Sequence, residues 1–297
     1  MTRCRPTSGA PPGNPRRRSL ARASAIRATP PRQPPCPTAW LELVRLFPVI
    51  HEDNDLLVLH KPAGLVCHPT KGDAYSSLIG RVRLHLGLDA EPQMVHRLDR
   101  ETSGVMIFGK TGAAALELRQ SWELGLVTKE YLAIVHGAPA TDHGTCDAPL
   151  GKDDQSEIAV RDRVRPDGAP ARTRWWREQA FERPEGRFSV LRLRLDTGRK
   201  HQIRIHLAHL GHPLVGDKLY GADPDAYLAF VQRRLTPMQR DRLLLPCQAL
   251  HAGRLWLPWR GEERAFASDP EPWFTAFIRG DPVPWHDDPF DPMRPGP

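Results

Sequence analysis

Short apolar runs along this chain are separated by polar breaks marked with glycine or proline, and the spacing of the apolar positions distinguishes strands from helices. Leu56-Leu57-Val58-Leu59 is an apolar run closed by the turn sequence Lys61-Pro62-Ala63-Gly64, which predicts a short buried strand and puts the start of folded structure near Val49. Val105-Met106-Ile107-Phe108 and the segment from Glu130 to Val135 read as strands in the same way. From Phe188 to Leu195, Ser189, Leu191, Leu193 and Leu195 alternate with Arg192 and Arg194, the period of a strand with one buried face. Helical spacing predicts one helix from about Tyr75 to Leu86, stopped by Gly87, and another from Ala113 to Trp122. A third carries Ile203, Leu207 and Leu210 on one face and ends at Gly211 and Pro213. Strands and short helices without regular alternation point to an α+β domain, not a repeating βαβ array. No internal repeat stands out.

Composition changes this picture at the two ends. Residues 1–41 hold eight arginines, nine prolines, no lysine, no acid and almost no large apolar residues, so they are expected to be a disordered tail. A catalytic-size domain over 42–280 and a loose Pro- and Asp-rich end over 281–297 complete the expected division. The chain has 35 Arg against 7 Lys and 31 Pro, a bias expected of a GC-rich, bacterial genome, so a bland tail or an over-long reading frame ranks ahead of an organelle transit peptide or a basic RNA arm. The tail's eight arginines also account for the formal charge of +7, since 7 − 8 leaves −1 for the remainder. Within that remainder, residues 161–204 contain thirteen Lys or Arg against six Asp or Glu, and this stretch is the candidate phosphate-facing surface.

Five cysteines without a C-x-x-C pair leave one unpaired in any disulfide scheme and fit a reducing, cytosolic setting. No apolar run approaches the roughly 18 residues needed to span a bilayer, and no signal peptide opens the chain, so a soluble, cytoplasmic protein without membrane attachment is expected.

The chemistry concentrates in five segments. His96-Arg97-Leu98-Asp99-Arg100-Glu101-Thr102-Ser103-Gly104 sets a carboxylate among arginines and small hydroxyls just before an apolar strand. Nearby positive charge lowers a carboxylate pKa and keeps it ionised, as a nucleophile or base must be. The other four are His60-Lys61-Pro62-Ala63-Gly64-Leu65, the strand Lys129 to Gly137, the block Thr197 to Leu207 continuing through Gly211-His212-Pro213 and Gly216-Asp217, and Leu250-His251-Ala252. In order, these resemble the motifs of RluA-type RNA pseudouridine synthases: H-R-L-D-x-x-T-S-G, K-P-x-G, K-x-Y-x-A-x-V-x-G, T-G-R-x-H-Q-I/L-R-x-H-L and L-H-A. The matches run from about residue 56 to 252.

The resemblance implies isomerisation of uridine to pseudouridine in a structured RNA, a tRNA or rRNA stem-loop, without metal, nucleotide or organic cofactor. It implies a mixed, mostly antiparallel sheet with flanking helices and a central catalytic cleft. By the same resemblance Asp99 is the catalytic carboxylate, Tyr131 the residue packed on the target base and a candidate proton acceptor, and Arg204 the ion-pair partner of Asp99. Arg97 would help hold the nucleotide out of its stack, and His96, Lys61, Thr102, Arg199, His201 and Gln202 join the expected substrate-binding set. Many relatives carry an RNA-binding domain ahead of the catalytic one. Here only the tail precedes it, so a compact monomer acting without an obligatory protein partner is expected.

Two other readings are weighed against this one. Gly104 to Thr111 satisfies G-x-x-x-x-G-K-T, a phosphate-cradling P-loop, but its central Val, Met, Ile and Phe favour a strand over an open loop. A non-catalytic RNA-binding protein is opposed by the joint presence of Asp99, Tyr131 and Arg204. His201, His206, His209 and His212 have helical spacing without H-E-x-x-H or paired cysteines, so no metal is expected.

Overall fold

A computed structural model describes residues 47–69, 76–87, 89–283 and 285. The tail expected over 1–41 lies outside the described residues, as do Tyr75 and most of 281–297. In chain order the elements are β1 (Val49–Glu52), β2 (Leu56–Lys61), α1 (Leu78–Leu86), β3 (Gln93–Met94), β4 (Ser103–Gly109), α2 (Gly112–Glu123), β5 (Thr128–His136), β6 (His143–Asp147), β7 (Leu150–Lys152) and β8 (Asp162–Val164). They continue with β9 (Arg172–Arg183), β10 (Gly186–Leu195), α3 (Gln202–His209), α4 (Ala226–Val231), α5 (Pro237–Leu243), β11 (Leu250–Trp259), β12 (Glu262–Ala267) and α6 (Pro272–Arg279).

The main sheet runs β1-β2-β4-β11-β5-β10-β9-β6, with β12 beside β11 and β3 beside β4. Every pairing in it is antiparallel except β11 with β4, which makes the sheet mixed and mostly antiparallel, as expected. β7 and β8 form a separate hairpin.

Strand alternation explains how one sheet supports two cores. On β5, Tyr131, Ala133 and Val135 join Leu191 and Leu193 of β10 and Leu57 and Leu59 of β2 in the larger apolar cluster. The opposite side chain, Ile134, packs with Phe188, Phe274 and Phe277 under α6. The helices start where small polar residues accept orphan amides: the Ser77 hydroxyl from Gly80 N at 3.3 Å for α1, and Thr111 Oγ1 from Ala114 N at 3.1 Å for α2. Gly87 ends α1 at φ 105, a value that costs a Cβ-bearing residue dearly.

Two expectations are corrected. Leu210 does not share the buried face of α3. It caps the helix and is 39% exposed, while Gln202, Arg204, Ile205 and His206 are buried together with Ile203 and Leu207. The helix is enclosed because the sheet packs on one side and a cluster containing Leu150, Ile158 and Tyr220 on the other.

The G-x-x-x-x-G-K-T pattern is a strand, as its Val, Met, Ile and Phe predict. Ser103–Gly109 is a buried strand whose residues pair with β2 from Lys61↔Gly104 to Leu56↔Gly109, so its backbone is engaged in the sheet and not open to phosphate. Gly104 has φ +119, and a Cβ there would lie 2.2 Å from the Ala252 carbonyl oxygen, so the glycine serves the close meeting of β4 with β11. Thr111 is a helix cap.

The arginine-rich stretch is the second correction. Its cations meet acids from neighbouring strands and loops: Arg165 with Asp154 and Asp167, Arg172 with Asp147, Arg174 with Asp196, Arg177 with Asp142, Arg192 with Glu178, and Arg194 with Glu130. Several of those acids lie outside residues 161–204, so the local surplus counted along the chain is largely cancelled in space.

Candidate active site

The site is assembled where α3 begins. Gln202, only 2% exposed, closes the preceding loop: Oε1 accepts from Thr197 Oγ1 at 2.8 Å and Arg199 N at 3.0 Å, and Nε2 donates to the Arg172 carbonyl at 2.9 Å and Thr173 Oγ1 at 3.0 Å. His201, the residue before the helix, sits at φ 56, a left-handed conformation that costs a non-glycine residue free energy and is held by its surroundings. Its Nδ1 meets the Tyr220 hydroxyl at 3.0 Å.

With the helix start fixed in this way, Arg204 reaches two carboxylates. Nη1 donates to Asp99 Oδ2 at 2.9 Å, while Nε and Nη2 make a bidentate pair with Asp217 at 2.7 and 2.8 Å. Asp217 is itself held, because its Oδ1 also accepts from Leu219 N and Tyr220 N. The Tyr220 ring lies beneath the guanidinium at 5.1 Å.

Asp99 sits in the loop between β3 and β4, and that loop is pinned from both flanks. The Asp99 carbonyl accepts from Thr102 N at 3.2 Å. The Arg100 carbonyl accepts from Gly64 N at 2.9 Å and from Lys61 Nζ at 2.9 Å. Glu101 takes both oxygens to Lys218 Nζ, at 2.8 and 2.9 Å, and Lys218 also donates to the Pro246 carbonyl. The Asp217-Lys218 dipeptide therefore grips the arginine that faces Asp99 and the loop that carries it.

Asp99, Tyr131 and Arg204 line one cleft of about 90 Å³, together with Arg97, Lys129 and His201. Burial alone would push the Asp99 carboxyl up, but the Arg204 guanidinium, charged and hydrogen-bonded to it, outweighs burial and holds the group below the ordinary carboxylate value. Tyr131 moves the other way: burial, reinforced by the Asp99 charge, pushes its phenol above the ordinary value. Burial brings the His201 imidazole down to about 4 although Asp99 Oδ1 lies 3.8 Å from its Nε2. Near neutral pH the cleft thus holds a charged carboxylate, a charged guanidinium, a neutral phenol and a neutral imidazole.

The remaining expected binding residues divide. Arg97 is exposed on the cleft and Arg199 stands at its rim, with Arg199 Nε donating to the Pro170 carbonyl. Thr102 lines the cleft but its hydroxyl accepts from Gln248 Nε2 at 2.7 Å. Gln202 also lines it, yet its amide is committed to the four internal partners above.

Two residues are corrected outright. Lys61 is fully buried and donates to the carbonyls of Pro62, Leu65 and Arg100, each at 2.9 Å, so it braces the Asp99 loop from behind. Burial lowers its ammonium to about 8. His96 faces away from the cleft: its ring stacks on Trp122 of α2 at 4.9 Å and its Nε2 accepts from Ile107 N. Burial brings it down to about 3.

Sequence reasoning passed over Asp217, Lys218, Tyr220 and Lys129 as individual site residues. Asp217 closes the long matched block and Lys129 opens the strand motif, so both were in view. Their roles depend on which side chains the fold brings opposite them.

A profile of RNA pseudouridylate synthases matches residues 55–209. An uncharacterised RNA pseudouridine synthase of Chloroflexus aurantiacus is 37% identical over 229 residues, 75% of this chain and 65% of that protein. Ribosomal large subunit pseudouridine synthase D of Haemophilus ducreyi is 36% identical over 219 residues, 72% of this chain and 64% of that protein. An uncharacterised RNA pseudouridine synthase of Aquifex aeolicus is 32% identical over 238 residues, 77% of this chain and 71% of that protein. The chain thus spans somewhat less than two thirds of the first two of these relatives. Among solved structures, human RNA pseudouridylate synthase domain containing 1 superposes with a TM-score of 0.63 at 24% identity, covering 77% of this chain and 85% of that one, a likeness of fold.

Proposed function

Because the chain belongs to the RNA pseudouridylate synthase family, we propose that it isomerises uridine to pseudouridine within a structured RNA, with Asp99 as the catalytic carboxylate. The reaction breaks the N1–C1′ bond of an extruded uridine, turns the uracil, and joins C5 to C1′; C5 loses its proton and N1 gains one. No atom is added overall, so carboxylate chemistry at the ribose and a proton acceptor at the base suffice. The observation that carries this reading is the meeting in one cleft of a charged Asp99, held by Arg204, with the neutral phenol of Tyr131.

Asp99 acts on the ribose, as a nucleophile or in its deprotonation. Tyr131 offers its ring to the uracil face and its hydroxyl to the proton exchange. Arg97, exposed beside the carboxylate, occupies the space that the extruded base vacates in the RNA. Extrusion costs a few kcal/mol, which favours uridines in loops of tRNA or ribosomal RNA. Ribosomal RNA is the first substrate to test, since relatives carry that name. We propose that it acts in the cytoplasm, as a monomer without an obligatory protein partner.

The test uses in vitro transcribed large-subunit ribosomal RNA and tRNA labelled with tritium at uridine C5. Tritium passes to water as C5 bonds to the ribose, and Asp99→Asn lowers that release by at least about a thousandfold, as loss of a covalent or acid–base group does. Release that survives in Asp99→Asn would remove the carboxylate from the chemistry. Lack of release by the wild type from either RNA would remove the assignment.

A further inference from the structure

Among the described lysines, Lys129 differs from the exposed Lys152 by its partial burial and from the other four by the lack of an acceptor for its ammonium. Lys61 donates to three carbonyls, Lys110 to Glu52 and the Asp53 carbonyl, Lys200 pairs with Asp162, and Lys218 with Glu101. Lys129 is partly buried and lines the cleft, and among the described residues no carboxylate or carbonyl accepts from its ammonium. It lies two positions from Tyr131 on β5, so strand alternation sends both side chains to the same face.

Withdrawing an ammonium from water without an acceptor is unfavourable, and burial accordingly lowers the Lys129 value below the ordinary one. The strand nonetheless presents it to the cleft. Arg204 cannot serve the same purpose, because its guanidinium is shared between Asp99 and Asp217. An acceptor brought by the ligand would complete the site.

We propose that Lys129 is a further substrate-binding residue, donating a charge-assisted hydrogen bond to an oxygen of the extruded uridine nucleotide and holding the nucleotide against Tyr131. This rests on the RNA-isomerising reading above. A uracil carbonyl and a phosphate oxygen are the two acceptors such a nucleotide offers, and they are separable by experiment.

Lys129→Met keeps the length of the side chain and removes the charge, and Lys129→Arg keeps the charge. Tritium release from C5-labelled large-subunit ribosomal RNA should fall about ten- to one-hundredfold in kcat/KM for Lys129→Met, the effect of one charge-assisted hydrogen bond, and recover most of that loss in Lys129→Arg. Thermal unfolding should show Lys129→Met to be as stable as the wild type or more so, because no partner is left stranded; a clear loss of stability would mark a structural lysine and overturn the proposal. A phosphate acceptor predicts that the slope of log Kd against log salt becomes shallower by about 1 in Lys129→Met. A carbonyl acceptor predicts an unchanged slope and a smaller gap between wild type and variant on RNA carrying 4-thiouridine at the target. Wild-type kcat/KM in Lys129→Met would refute the role of Lys129 and leave the isomerase reading standing, whereas an inactive wild type removes both.

Discussion

Arginine–carboxylate pairs occur in two regions of this protein, and their burial separates them more than their geometry. At the cleft, Arg204 makes a bidentate pair with Asp217 and a single bond to Asp99, with 9% of the arginine and none of the Asp217 side chain exposed. On β9 and β6, Arg172 meets Asp147 at 2.5 Å with more than half of each side chain in water. Both pairs are short and well formed. Water screens the second, and its competing hydrogen bonds leave little net gain, whereas the first sits where an unpaired charge has no alternative partner. The buried set holds the Asp99 carboxylate in one position and one charge state. The exposed set cancels the charge of a stretch that looks basic when counted along the chain.

Breaking the buried set gives the largest expected effect on stability. Asp217→Asn removes the charge opposite Arg204 and should cost about 3–5 kcal/mol in chemical denaturation. It should also change the pH profile of tritium release, since Asp99 would then face the guanidinium alone. A loss below about 1 kcal/mol would erase the contrast between the two regions.

An intermediate effect comes from the buried histidines. His96, at about 3, is depressed below the roughly 6.5 of an unfolded chain. Between those values the unfolded state binds a proton that the folded state refuses, so stability is complete above about pH 6.5 and is lost as pH falls. His96→Phe keeps a ring against Trp122 and should flatten the loss of stability between pH 7.5 and 5.5 by about 1.4 kcal/mol. An identical slope in the variant would show that His96 takes up its proton without resistance. For Asp99 the sign is opposite: its lowered carboxyl stays charged down to the acid side of the ordinary value, so acid loss of activity should set in below about pH 4.

The smallest effect belongs to the exposed set. Arg172→Ala should change unfolding free energy by at most about 0.5 kcal/mol, a difference that added salt diminishes further. A larger loss would show that exposure alone does not set the worth of these pairs.

Much of this was legible before any coordinates. Strand and helix positions followed from apolar spacing: the strand expected over Phe188 to Leu195 extends over Gly186–Leu195, and the helix expected over Ala113 to Trp122 over Gly112–Glu123. Asp99, Tyr131 and Arg204 were singled out by motif resemblance and do share a cleft. Lys61 and His96 were misread because a motif marks a residue as needed without saying whether it faces ligand or protein. Lys61 donates to three carbonyls, that of Arg100 beside Asp99 among them, and His96 packs on Trp122. Leu210 was misplaced because helical periodicity assumes one solvent face, and α3 is covered on both sides.

By itself the sequence determined what depends on neighbours in the chain: the turns, the caps, the alternation along β5 and β10, and the exclusion of a P-loop from residues that favour a strand. Tertiary structure decided everything that depends on distance. Asp99 and Arg204 are 105 positions apart, and a 2.9 Å bond between them exists only because β4, β11 and β5 set the loop that carries Asp99 against the start of α3. The apparent basic surface disappeared for the same reason, since charge cancels through space and not along a chain.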